Sequence, residues 1–137
     1  MVRRQIIPTS EYLSWGPHPG QKVVGEVLVS DPEGATSMKG EAVPYLEIRL
    51  REPVDSIRKD GVITRLQPGD VTKITCGPTS LKGLVREAKP LAGWEVWIEF
   101  VALHQTAAGP AKIFTLEVDP GDVLPIEENG DEGDPPF

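Results

Sequence analysis

The residues able to do covalent or metal chemistry are few and stand apart. His18 and His104 have no Cys or second His at metal-ligand spacing, which makes them surface or loop histidines rather than ligands. Cys76 is the single cysteine, set in an alternating apolar run with no His in a recognisable motif near it, and it reads as a small buried side chain. Glu95 and Glu99 share one side of a strand pattern, where paired acids are ordinarily solvated. There is no phosphate loop, no paired Gly-rich turn after a strand and no nucleophile elbow. We therefore expect no enzyme, no metal and no cofactor. Non-covalent chemistry has better material in Tyr45, Arg49, Arg51, Lys73 and Thr75, with Arg58, Lys59 and Arg65 on a polar stretch between them, and Trp97 further on. Cations follow a phosphate chain and a ring stacks on a base for roughly 1 to 3 kcal/mol. The competing reading of the same residues is a solvated strand face with ordinary surface charges.

The elements that must position these residues are mostly strands around one helix. Leu81, Leu84, Val85 and Ala88 fall at i, i+3, i+4 and i+7, which predicts a helix over Pro78–Lys89, begun by Pro78 and ended by Pro90 and Gly93. Lys22–Ser30 is the first expected strand, with Val23, Val27 and Val29 on one side and a bulge or bend at Gly25. Asp31–Gly40 reads as a loop. Val43–Glu52 follows with Leu46, Ile48 and Leu50 inward and Tyr45, Glu47, Arg49 and Arg51 outward. Pro53–Asp70 is an insertion whose Asp60-Gly61 pair suits a hairpin tip. Val71–Cys76 places Ile74 and Cys76 inward and Lys73 and Thr75 outward. Glu95–Ala102 and the stretch around Phe114, Leu116 and Val118 are the last two strands, joined by a turn at Thr106–Pro110. Trp97 points outward between Glu95 and Glu99, either to stack a base or to pack against the insertion, the N-terminal segment or a second subunit.

The order β-β-β-α-β-β is that of the OB-fold, a five-stranded, partly open barrel whose second and third strands carry the ligand face. An unrelated small β-barrel or a split sandwich fits the pattern nearly as well. The expected fold class is all-β with one helix, divided into an N-terminal arm (1–20), an OB-fold domain (21–118, with 53–70 as insertion or hairpin) and an acidic C-terminal tail (119–137), disordered beyond about Leu124. In the arm, Arg3 and Arg4 are either phosphate contacts or solvated ends, and Tyr12 and Trp15 are expected to cover an edge of the core. No apolar run approaches the ~20 residues that span a bilayer, and the first residues lack the apolar stretch of a signal peptide, so a cytoplasmic location is expected.

The net charge of -7 hides a division. Residues 1–116 hold 14 basic and 13 acidic side chains, a net +1, while the other 8 acids lie from Glu117 onward. Such asymmetry points to an acidic tail with its own partner, or one that competes with an acidic ligand of the body.

The final residues Asp131, Glu132, Gly133, Asp134, Pro135, Pro136 and Phe137 carry a family resemblance. They resemble the acidic tip of bacterial single-stranded DNA-binding proteins, where carboxylates lead into Pro-Phe, and the double proline looks like the form found in high-GC Gram-positive bacteria and their phages. The body is similar only in element order; there is no long low-complexity linker and the 53–70 insertion is unusual, so a phage-encoded relative with a short tail is the better match. The resemblance implies a non-catalytic, sequence-tolerant single-stranded DNA-binding protein of replication, recombination or repair, and leaves room for a homo-oligomer. Asp131, Glu132, Asp134, Pro135, Pro136 and Phe137 would recruit partner proteins, with Phe137 plugging an apolar pocket. The alternative is a non-catalytic protein-interaction or virion structural module on the same small barrel, with a tail that only solubilises.

Overall fold

Alternation of apolar and polar residues builds most of the structure, and two interruptions of it set the curvature. The computed structural model describes residues 10–121. The elements run β1 (Ser10–Tyr12), β2 (Lys22–Thr36), β3 (Ala42–Leu50), β4 (Val54–Ile57), β5 (Ile63–Leu66), β6 (Val71–Thr75), α1 (Thr79–Ala88), β7 (Glu95–Thr106) and β8 (Gly109–Asp119). One sheet has the order β1-β6-β3-β2-β7-β8, antiparallel from β6 to β8, with β1 added in parallel to β6. β4 and β5 form a separate antiparallel hairpin, and Asp60-Gly61 lies at its tip with Gly61 at φ 89°. Among the described residues no helix is long and apolar enough to cross a membrane.

The inward residues of the sheet make a single apolar cluster: Val23 and Val27 from β2, Leu46, Ile48 and Leu50 from β3, Ile74 from β6, Val96, Ile98 and Phe100 from β7, and Phe114 from β8. Val54 and Leu66 bring the hairpin into it, and Leu81 and Val85 bring in the helix. The helix begins after Pro78, whose carbonyl accepts from Lys82 N–H at 2.8 Å. It ends where Lys89 turns left-handed (φ 49°) and donates to the Val85 carbonyl, and Pro90 prevents another turn. Ser80 ties its first turn to the sheet by accepting the Phe114 N–H at 3.0 Å, which occupies a donor on the edge strand β8.

β2 is the strand where periodicity misleads. Gly25 pairs with Leu50 on one side and Val96 on the other. A Cβ there would overlap the Arg49 carbonyl oxygen and lie 2.8 Å from Ile48 Cγ2, so the glycine serves close approach of backbones rather than a bulge. The bulge comes two residues later, between Val27 and Val29. One inserted residue reverses parity, and Val29, expected on the same side as Val23 and Val27, is 40 % exposed while they are buried. A second irregularity sets Pro32, Glu33 and Gly34 against Pro44 alone, between the pairs Asp31↔Tyr45 and Ala35↔Val43. Both prolines fall where the ladder asks for no N–H. The segment expected as a loop from Asp31 is therefore strand as far as Thr36, and the reversal is confined to the residues around Ser37–Glu41.

Replacing Gly25 by Ala must push β3 away from β2. Gly25→Ala is expected to lower the urea midpoint by the equivalent of roughly 1 to 3 kcal/mol with the far-UV circular dichroism shape retained; an unchanged midpoint would show that the two backbones are free to separate.

Candidate nucleic-acid interface

The outer face of β3 and β6 is completed by a residue that comes from the N-terminal segment. Ser10, Glu11 and Tyr12 run parallel to Val71, Thr72 and Lys73, and Leu13 N–H donates to the Lys73 carbonyl at 2.8 Å. Too short to hold itself, this strand is pinned from behind. Gln21, 7 % exposed, accepts from Gly16 N–H at 2.6 Å and donates from Nε2 to the Ser14 carbonyl at 3.0 Å and the Asp55 carbonyl at 2.7 Å. Ser56 Oγ accepts from Ser14 N–H at 2.8 Å, and Ile57 N–H donates to the Ser14 carbonyl at 2.9 Å. The Gln21 amide and the Ser56 hydroxyl thereby find partners between the N-terminal segment and β4, while the buried Trp15 Nε1 has none.

Tyr12 and Trp15, expected to share one role, are separated by it. Trp15 packs on the core, edge-on to Phe114 with ring centroids 4.8 Å apart, and Phe114 stacks on Phe100 at 5.4 Å. Tyr12 stands 60 % exposed on the outer face. Its ring centroid is 6.5 Å from that of Tyr45, and Lys73 Nζ lies 5.3 Å from it. Thr75 is the cross-strand partner of Tyr45, and Glu47 that of Lys73. The Tyr45 hydroxyl donates to Glu47 Oε2 at 2.6 Å. Burial first, and then the Glu47 carboxylate beside it, push the Tyr45 phenol well above its ordinary value, so it stays protonated and keeps this bond. Two tilted rings, one with an ammonium over it and the other held by a carboxylate, form an apolar step with a cation beside it.

Tyr45, Lys73 and Thr75 are thus brought together as expected from alternation, with Arg49 further along β3. The arginines are held by acids. Arg49 Nη1 is 3.5 Å from Glu26 Oε1, and Arg51 Nε is 2.6 Å from Glu95 Oε2. On the hairpin Arg58 meets Asp60 at 2.8 Å and Arg65 meets Asp55 at 3.1 Å, with Lys59 exposed at the same tip. Exposed pairs of this kind contribute about 0 to 1 kcal/mol each, so an incoming phosphate exchanges for a carboxylate at small cost. Trp97 is half-buried and set apart, opposite Val24 on β2 and Glu117 on β8. Sequence reasoning missed Tyr12, which sits on a three-residue strand with no period to read, and Glu47, whose i, i+2 relation to Tyr45 on one strand face was legible. The tip residues Asp131, Glu132, Asp134, Pro135, Pro136 and Phe137, like Arg3 and Arg4, lie outside the described residues.

The residues with covalent potential are placed as follows. Cys76 is fully buried, and burial pushes its thiol up to about 12 from 9.0, which leaves it protonated and unreactive near neutral pH. His18 and His104 are exposed, and Glu95 is occupied by Arg51. No group of three or more His, Cys, Asp or Glu is placed to hold a metal ion among the described residues. No protein-family model, curated protein or solved structure matches the chain.

Two outcomes follow from this geometry. Gln21→Leu leaves several backbone groups without their partner and is expected to cost at least about 2 kcal/mol in denaturant titration, with Tyr12 more mobile by side-chain relaxation; full stability would show that water replaces the amide. Cys76 should resist a thiol reagent in the native protein at pH 8 and react on unfolding. Because the unfolded thiol ionises above about pH 9 and the folded one only near 12, its contribution is present below pH 9 and is lost as pH rises through that window. Cys76→Ala should flatten that alkaline loss.

Proposed function

We propose that this chain is a non-catalytic, sequence-tolerant single-stranded DNA-binding protein of replication or recombination, built on an OB-type barrel. The order β6-β3-β2-β7-β8, with the helix between β6 and β7, supports that topology, because it arranges the strands as third, second, first, fourth and fifth of such a barrel. β3 and β6 are then the second and third strands, the ligand face. The single observation that carries the function is the grouping of Tyr12, Tyr45 and Lys73 on that face. Bases stack on the rings, Lys73 and Thr75 take the phosphates, and Arg49, Arg51 and the hairpin cations Arg58, Lys59 and Arg65 extend the path. Residues 131–137 recruit partner proteins through Phe137 and the acids before it, as the resemblance of the tip implies.

A second reading, a protein-interaction or virion structural module, is favoured by one observation: Trp97 lies among Glu95, Glu99 and Glu117, which repel phosphate and suit a protein contact. The two part at a single experiment, the anisotropy of a labelled, unstructured oligonucleotide titrated at low and moderate salt beside a duplex control. The DNA reading expects tighter binding of the single strand that weakens with salt. Tyr12→Ala and Tyr45→Ala should each weaken it by about 5- to 150-fold, and Lys73→Ala should reduce the slope of log K on log salt by about one. No response at micromolar protein would remove the DNA reading and leave the protein module.

A further inference from the structure

A cavity of about 460 Å³ opens between the end of α1 and the β2–β3 ribbon. Pro32 and Pro44 form one wall, and Val85, Pro90 and Leu91 form the other. Leu91 is 55 % exposed, while Val85 on the same wall is 4 % exposed. Arg86 and Lys89 also line the cavity, against one acid, Glu33. Its shape is built in. The ladder is irregular around Pro32 and Pro44, and Arg86 Nη2 ties the helix to β3 by donating to the Ala42 carbonyl at 3.1 Å. No residue of this cavity belongs to the Tyr12–Tyr45–Lys73 face, so what fills it is a separate question from nucleic-acid binding.

The path of the chain supplies an occupant. β8 ends with Asp119 paired to Glu95, and Glu95 directly follows the turn in which Trp94 N–H donates to the Leu91 carbonyl at 3.1 Å. The end of β8 and Leu91 are thus linked through one strand pair and one turn. The residues that come next are Asp122, Val123, Leu124, Pro125, Ile126, Glu127 and Glu128, an apolar run closed by two acids. That sequence complements apolar walls bordered by two cations. Five extended residues reach roughly 17 Å, and proline restricts the chain toward the extended form.

We propose that Val123–Ile126 fold back into this cavity within the same chain, with Glu127 and Glu128 facing Arg86 and Lys89. The acidic tip is then tethered from a point at the helix end instead of from the end of β8.

The test uses the full-length protein with labelled Ile, Leu and Val methyl groups. Nuclear Overhauser contacts are expected from the methyls of Leu124 and Ile126 to those of Val85 and Leu91, independent of protein concentration. Leu124→Asp with Ile126→Asp should abolish them and shift the Val85 and Leu91 signals while Val23 stays in place. Arg86→Glu with Lys89→Glu should reduce their intensity several-fold. The proposal is overturned if the contacts are missing and the double Asp variant leaves Val85 and Leu91 unmoved. Contacts that vanish on dilution overturn it in favour of a second copy, and signals that respond to Phe137→Ala but not to the changes at 124 and 126 overturn it in favour of the tip. Oligonucleotide binding enters none of these readouts.

Discussion

β2 serves two neighbours at once, and it does so because one of its residues has no side chain. At Gly25 the strand is flanked by Leu50 and Val96, and the β3 backbone comes so close that a methyl group has no room. Everything on either side depends on that junction. β3 and β6 reach the sheet through β2 from one direction and β7 and β8 from the other. The inward residues of both wings meet in one cluster under the helix. A sheet held this tightly at its middle must take up curvature elsewhere, and the bulges after Val27 and Asp31 do so on the same strand.

The candidate site inherits its order from a polar junction at the opposite margin. Gln21 and Ser56 hold the segment that carries Tyr12 against β4, while the apolar neighbour Trp15 is turned down onto Phe114. The hairpin of β4 and β5 is thus more than an appended insertion: its Val54 and Leu66 enter the core and its backbone accepts from Gln21. It links the N-terminal segment to the sheet face where Tyr45 and Lys73 stand.

Much of this was legible from local pattern. The alternation of β3 marked Leu46, Ile48 and Leu50 as inward, the 3.6-residue spacing marked Leu81 and Val85, and Asp60-Gly61 marked the hairpin tip. What escaped did so for physical reasons. Bulges reverse parity without leaving a compositional mark, so Val29 was assigned to the wrong side, and Asp31-Pro32-Glu33-Gly34 has the composition of a loop although the strand runs through it. Tyr12 belongs to a strand stabilised by partners some sixty residues away, which no window can detect. Ion pairs such as Arg51–Glu95, 44 positions apart, depend on the curl of the sheet and change the face from a run of free cations to a nearly balanced surface.

The pairing of β1 with β6 also has a kinetic side. β7 and β8 are joined by a two-residue turn between Thr106 and Gly109, whereas β1 joins Ser10 to Val71. Closing that long loop brings the smallest return in ladder hydrogen bonds of any pairing in the sheet, so on entropic grounds β1 is the last strand to dock and the first to detach. Since β1 carries Tyr12, the aromatic pair assembles after the rest of the sheet and comes apart before it. Mild heating would therefore dismantle the face while its supporting sheet persists.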